Sequence, residues 1–148
     1  LYTTFVHTCS PLRSGDSLLP IPLYRNPPTF NGDHKAVLKW QTEWQACDEV
    51  QMGGGCRAEH ATLTEISDTK SVLFKRGWGL RGRIEFLTKI PTYYYLYRVG
   101  GISLKAEKER KCPQCGGEWL LDAPIHDIFY FKCDDCRLVS NISWDHLK

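Results

Sequence analysis

At 148 residues, with 42% hydrophobic and 24% charged residues, the chain has room for one ordinary core and a small satellite module, and wholesale disorder is excluded. No apolar run reaches the roughly 18 residues that a membrane span needs, and residues 1–10 lack the basic-then-apolar order of a signal peptide. The net charge of +2 hides an uneven spread: residues 1–69 carry five Lys/Arg against eight Asp/Glu, residues 70–111 eleven against three, and residues 112–148 three against six.

The opening LYTTFVH, residues 1–7, is rich in β-branched and aromatic side chains and predicts a strand. Pro11, Pro20, Pro22, Pro27 and Pro28 then exclude a helix and disfavour a central strand, leaving an extended surface segment with an edge strand at PLYR, residues 22–25. From His34 the period becomes helical. Val37, Trp40, Trp44 and Cys47 recur at spacings of three and four, and the glycines at 53–55 close the stripe. A second helix is predicted from about Ala58 to Lys75, ended by Gly77 and Gly79, and a third from about Leu80 to Ile90, ended by Pro91. TYYYLYRVGG, residues 92–101, predicts a strand closed by two glycines. The polar SLKAEKERK, residues 103–111, reads as a charged helix or linker. The expected fold is therefore α+β: a small mixed domain over residues 1–104, with three helices and a few strands, followed by a β-hairpin zinc ribbon over 105–148.

Seven cysteines cannot close into a disulfide framework, and four of them fall in two C-x-x-C pairs, which points to metal thiolates in a reducing, cytoplasmic setting. Cys112 and Cys115 are separated from Cys133 and Cys136 by seventeen residues, a zinc-type spacing. EWLLD and DIFYFK supply the two strands of an intervening hairpin, with Ala123, Pro124 and Ile125 near its turn. Gly116 permits the positive φ that a knuckle needs after its second cysteine, whereas the second knuckle has Arg137 there. Four thiolates fill a tetrahedron and leave no position for water, so the site suits one structural Zn²⁺; iron in the same cage is the alternative. Cys9, Cys47 and Cys56 are expected to be buried thiols.

Taken together, LYTTF, PIPLYRNPPT, YYYLYR, KCPQCGGEW and FKCDDCRLVSNISW resemble a bacterial family of zinc-ribbon-containing proteins of unknown function, to which nucleic-acid binding is ascribed. The resemblance spans nearly the whole chain. It implies that Cys112, Cys115, Cys133 and Cys136 are the metal ligands, and that the chain corresponds to the carboxy-terminal portion of longer proteins, consistent with a first residue, Leu1, that is not methionine. It implies no catalytic residue.

For function, the ribbon itself is acidic, so phosphate attraction falls to FKRGWGLRGRIEF, where Lys75, Arg76, Arg81 and Arg83 surround Trp78. The same pattern also fits a Trp78 packed inward beneath a solvated helix start. A protein partner is the alternative to nucleic acid, steered by patches of both signs and anchored by Tyr24 and Phe30, as an adaptor, a regulatory subunit or a toxin-neutralising immunity protein. No nucleophile elbow, phosphate loop or paired helical histidines are present, and neither His126–Asp127 nor Cys9 with His7 makes an oriented catalytic pair. The expectation is a non-enzyme with no membrane attachment and no small-molecule substrate.

Overall fold

The computed structural model describes residues 1–147, and the chain divides into two compact units, Leu1–Thr92 and Tyr93–Lys148. The first unit is built on three helices, α1 (Lys35–Gly53), α2 (Glu59–Ser67) and α3 (Val72–Thr88). Their buried side chains are those the periodicity singles out: Val37, Trp40 and Trp44 from α1, Ile66 from α2, and Leu73, Phe74, Leu80 and Ile84 from α3.

The break between the second and third helices lies earlier than Gly77 and Gly79 suggest. Ser71 caps α3 by accepting a hydrogen bond from the Phe74 N–H at 3.0 Å, and both glycines lie inside the helix, with Gly77 buried. Tertiary contacts here outweigh the roughly 1 kcal/mol by which glycine disfavours a helix.

Among the described residues of this unit the only β-pairing is two isolated bridges, Arg13 with Pro20 and Phe30 with Asp33. LYTTFVH is not a strand because, apart from the Tyr2 N–H donating to the Pro11 carbonyl at 2.8 Å and the His7 N–H to the Thr4 carbonyl at 3.0 Å, its partners are side chains of α1. Gln45 Nε2 donates to the Thr3 hydroxyl at 2.9 Å and to the His7 carbonyl at 2.6 Å, Gln41 Nε2 to the Cys9 carbonyl at 2.7 Å, and the Phe5 N–H donates to buried Asp48 at 2.9 Å. PLYR likewise forms a 3₁₀ turn, Leu23–Arg25, started by Pro22.

The second unit holds a four-stranded sheet of order β1-β4-β3-β2, from β1 (Tyr94–Leu96), β2 (Leu120–Ile125), β3 (Phe129–Cys133) and β4 (Leu138–Ser140). β2 and β3 form the expected hairpin, but its turn is at His126 and Asp127, both left-handed with φ of 53° and 57°. β1 runs parallel to β4, with Tyr94 opposite Leu138. The aromatic strand thus completes the ribbon's sheet, and the compact units part at Thr92 and Tyr93, whereas polarity alone places the change near residue 104.

SLKAEKERK contains α4 (Leu104–Lys108), capped by Ser103. It is not a solvated linker throughout. Glu107 is only 1% exposed; Arg98 Nη2 lies 2.5 Å from its Oε1 and Arg110 Nε 3.2 Å from its Oε2, and the Ser143 N–H donates to it at 3.2 Å. Arg110 lies over the Phe131 ring at 4.5 Å, and its carbonyl accepts from the Trp119 indole at 2.9 Å. Among the described residues no helix is long and apolar enough to cross a membrane.

Candidate metal centre and basic segment

Two short turns carry the sulfurs. In the first, the Gly116 N–H donates to the Cys112 carbonyl at 2.8 Å and the Cys112 N–H to the Gly117 carbonyl at 2.9 Å, while Gly116 adopts φ of 73°. The second turn repeats that backbone with Arg137 at φ 53°, so a side chain tolerates the left-handed position that glycine fills in the first. Arg137 is held there by its Nη1 donating to the Asp134 carbonyl at 2.7 Å and by its own carbonyl accepting from the Tyr94 N–H at 2.8 Å. β3 and β4 run directly into and out of this turn, which places Cys133 and Cys136 opposite the first pair.

The Sγ atoms of Cys112, Cys115, Cys133 and Cys136 all lie within 4.8 Å of one another, and Cys115 and Cys133 are 3.7 Å apart. A tetrahedral zinc with metal–sulfur distances of about 2.3 Å sets its sulfurs about 3.8 Å apart. The donor set therefore fits one tetrahedral metal ion. Cys112 and Cys133 are buried, Cys136 is half-buried and Cys115 faces solvent. The electrostatics agree. Burial pushes the Cys133 and Cys136 thiols up, while the Gly117 N–H holds Cys115 down; a divalent cation held by the four would bring them to the thiolate together.

The remaining cysteines are spread over the helical unit. Cys9 and Cys47 are half-buried, but Cys56 is exposed in the turn between α1 and α2, against the expectation of a buried thiol. Cys9 Sγ accepts from Arg13 Nη2 at 3.0 Å.

Within each unit, several cations of the basic segment are drawn to carboxylates. Arg76 pairs with Glu43, Lys111 with Glu118, and Arg98 and Arg110 with Glu107. Of the residues considered for nucleic acid, Lys75, Arg76 and Arg83 are exposed and Trp78 is half-buried. Arg81 is 5% exposed. Its guanidinium lies 4.5 Å from the Trp78 ring, 3.1 Å from Glu85 and 3.2 Å from the Thr92 carbonyl. Arg81 and Trp78 thus form an internal cation–π pair, not a surface one. Arg81→Gln is expected to lower the unfolding free energy by about 1.5–3 kcal/mol in denaturant titration, the usual worth of hydrogen bonds to a charged group.

Two features escape sequence reading. Glu107 sits in the most polar stretch of the chain and gives no sign of burial. Phe86 and Lys89, beside Arg83 at the end of α3, carry exposed aromatic and cationic character that helical periodicity alone could have placed on one face.

A family model described as "Domain of unknown function (DUF2310)" matches residues 1–97, and one described as "Domain of unknown function (DUF8594)" matches residues 101–146. The chain is similar to two uncharacterized proteins of Haemophilus influenzae (strain ATCC 51907 / DSM 11121 / KW20 / Rd), at 55% and 54% identity over 150 residues, covering 99% of this chain in each case. It spans 56% of the length of the first and 72% of the second. No solved structure matches.

Proposed function

The chain belongs to the DUF2310 family, and we propose that it is a non-catalytic zinc-binding protein that carries one structural Zn²⁺ on its four clustered cysteines and binds nucleic acid through the exposed face of α3. The convergence of the four sulfurs is the observation that carries the metal part. When bound, zinc supplies cross-linking of the two knuckles, with all four positions taken by thiolates.

Support for the nucleic-acid part comes from one side of α3. Lys75, Gly79, Arg83 and Phe86 recur at helical spacing and are all exposed, and among the described residues no carboxylate lies within ion-pair distance of Lys75 or Arg83. The test is fluorescence anisotropy of the zinc-loaded chain with labelled DNA and RNA at two salt concentrations. Lys75→Gln with Arg83→Gln is expected to weaken binding and to reduce the slope of log K against log salt by about 0.7–0.9 for each phosphate that the variant no longer neutralises. An unchanged slope in the double variant removes α3 from the interface.

A protein partner is the second reading. Val72, 65% exposed at the start of α3, and Ile90, 64% exposed just past its left-handed cap, add apolar surface that phosphate does not use.

A further inference from the structure

Phe86 is 62% exposed, with Arg83 Cζ 5.6 Å and Lys89 Nζ 4.2 Å from the centre of its ring. Neither cation has a carboxylate within ion-pair distance among the described residues, and the nearest acid in α3, Glu85, is taken by Arg81. Lys89 is set over the ring by the backbone. It is the left-handed cap of α3, with φ of 60° and its N–H donating to the Glu85 carbonyl at 2.8 Å.

Arg83 also reaches away from the helix. Its Nε donates at 3.2 Å to the carbonyl of Thr29, a residue that is itself buried. Next to Thr29, Phe30 is 48% exposed and begins a tight turn through Asn31 and Gly32, whose φ values are 53° and 74°; the Asp33 N–H donates to the Phe30 carbonyl at 3.1 Å. The one acid of that turn, Asp33, faces Lys35 at 3.6 Å. Arg83 therefore ties the turn to the end of α3, where exposed Phe86 stands beside two cations that no carboxylate engages.

Resting on the nucleic-acid reading of α3, we infer that this cluster is a binding site for single-stranded nucleic acid, with Phe86 as the platform for an unpaired base and Arg83 and Lys89 as partners of its flanking phosphates. Stacking needs the open face of a base, which a duplex does not offer, so an exposed aromatic among cations selects single strands. No carboxylate holds the two cations over Phe86: the backbone cap places Lys89, the Thr29 carbonyl engages Arg83 Nε, and their charges meet the ring by attraction. At an exposed site that attraction is weak enough for a phosphate, which offers a charge-assisted hydrogen bond, to displace it.

The experiment compares a labelled single-stranded oligonucleotide with the matching duplex by anisotropy, using the full zinc-loaded chain. The single strand is expected to bind more tightly. Phe86→Ala should weaken single-strand binding by about 5- to 150-fold, the range for one stacked base, and duplex binding much less, with the melting temperature nearly unchanged. Phe86→Trp should keep single-strand affinity, and Arg83→Gln should weaken both ligands with a shallower salt slope. Single-strand affinity unchanged in Phe86→Ala but reduced in Arg83→Gln would overturn the stacking site and leave the α3 reading standing. No binding of either ligand at low salt would overturn both.

Discussion

Cys112→Ser is expected to abolish stoichiometric zinc binding and to unfold the four-stranded sheet, seen as the loss of bound metal together with a red shift of Trp119 fluorescence. Cys112 and Trp119 are both buried; Cys112 opens the first knuckle, and Trp119 directly precedes β2. A module of about 60 residues is marginal on apolar burial alone. A four-cysteine zinc site contributes about 10–16 kcal/mol of apparent binding free energy to folding, more than such a module has to spare. Serine removes one thiolate and leaves the other three sulfurs crowded around a position they cannot close. Cys56→Ser, in the exposed turn after α1, should leave metal content unchanged. Retention of one zinc per chain in Cys112→Ser would show that the sulfur cluster is not the binding site.

Glu107→Ala is expected to cost up to about 3–5 kcal/mol, read by denaturant unfolding, because it leaves half-buried Arg98 and Arg110 without their buried counter-charge. Burial by itself would raise the Glu107 carboxyl pKa, but hydrogen bonds from Arg98, the charge of Arg110 and the Ser143 N–H overcome that and hold it below the usual carboxylate value. Burial in turn lowers Arg110 to about 10, against the pull of Glu107, so it remains protonated at neutral pH. Since the folded value of Glu107 is the lower one, its stabilisation is complete above the unfolded value of about 4.3 and is lost as pH falls through the folded value. Acid also releases thiolate-bound metal. The comparison that isolates Glu107 is therefore wild type against Glu107→Gln over the same acid range: the variant should begin less stable and lose less. Equal losses in the two would remove the carboxylate from the acid response.

The asymmetry between what the sequence reveals and what it hides follows from the range of the interactions. The cysteine pairs are legible because metal geometry demands a local C-x-x-C turn, and the tryptophan stripe of α1 is legible because its period is intrinsic to the helix. Tyr94–Leu96 looks like any aromatic strand. Its assignment to the ribbon's sheet depends on parallel pairing with Leu138–Ser140, more than forty residues away, which no local pattern encodes. Arg81 and Glu107 are misread for the opposite reason. Charge normally marks a solvated face, and each of these is buried because a specific counter-charge and several hydrogen bonds accompany it inside. Gly77 and Gly79 show propensity yielding to packing, while Arg137 shows a left-handed turn accepted without glycine because the sheet on both sides fixes it.

The most direct test is the metal content of the reduced, purified chain, measured by elemental analysis alongside its protein concentration. One zinc per chain is the predicted result. A folded chain, with Trp119 buried and all seven thiols free of metal, would contradict the account.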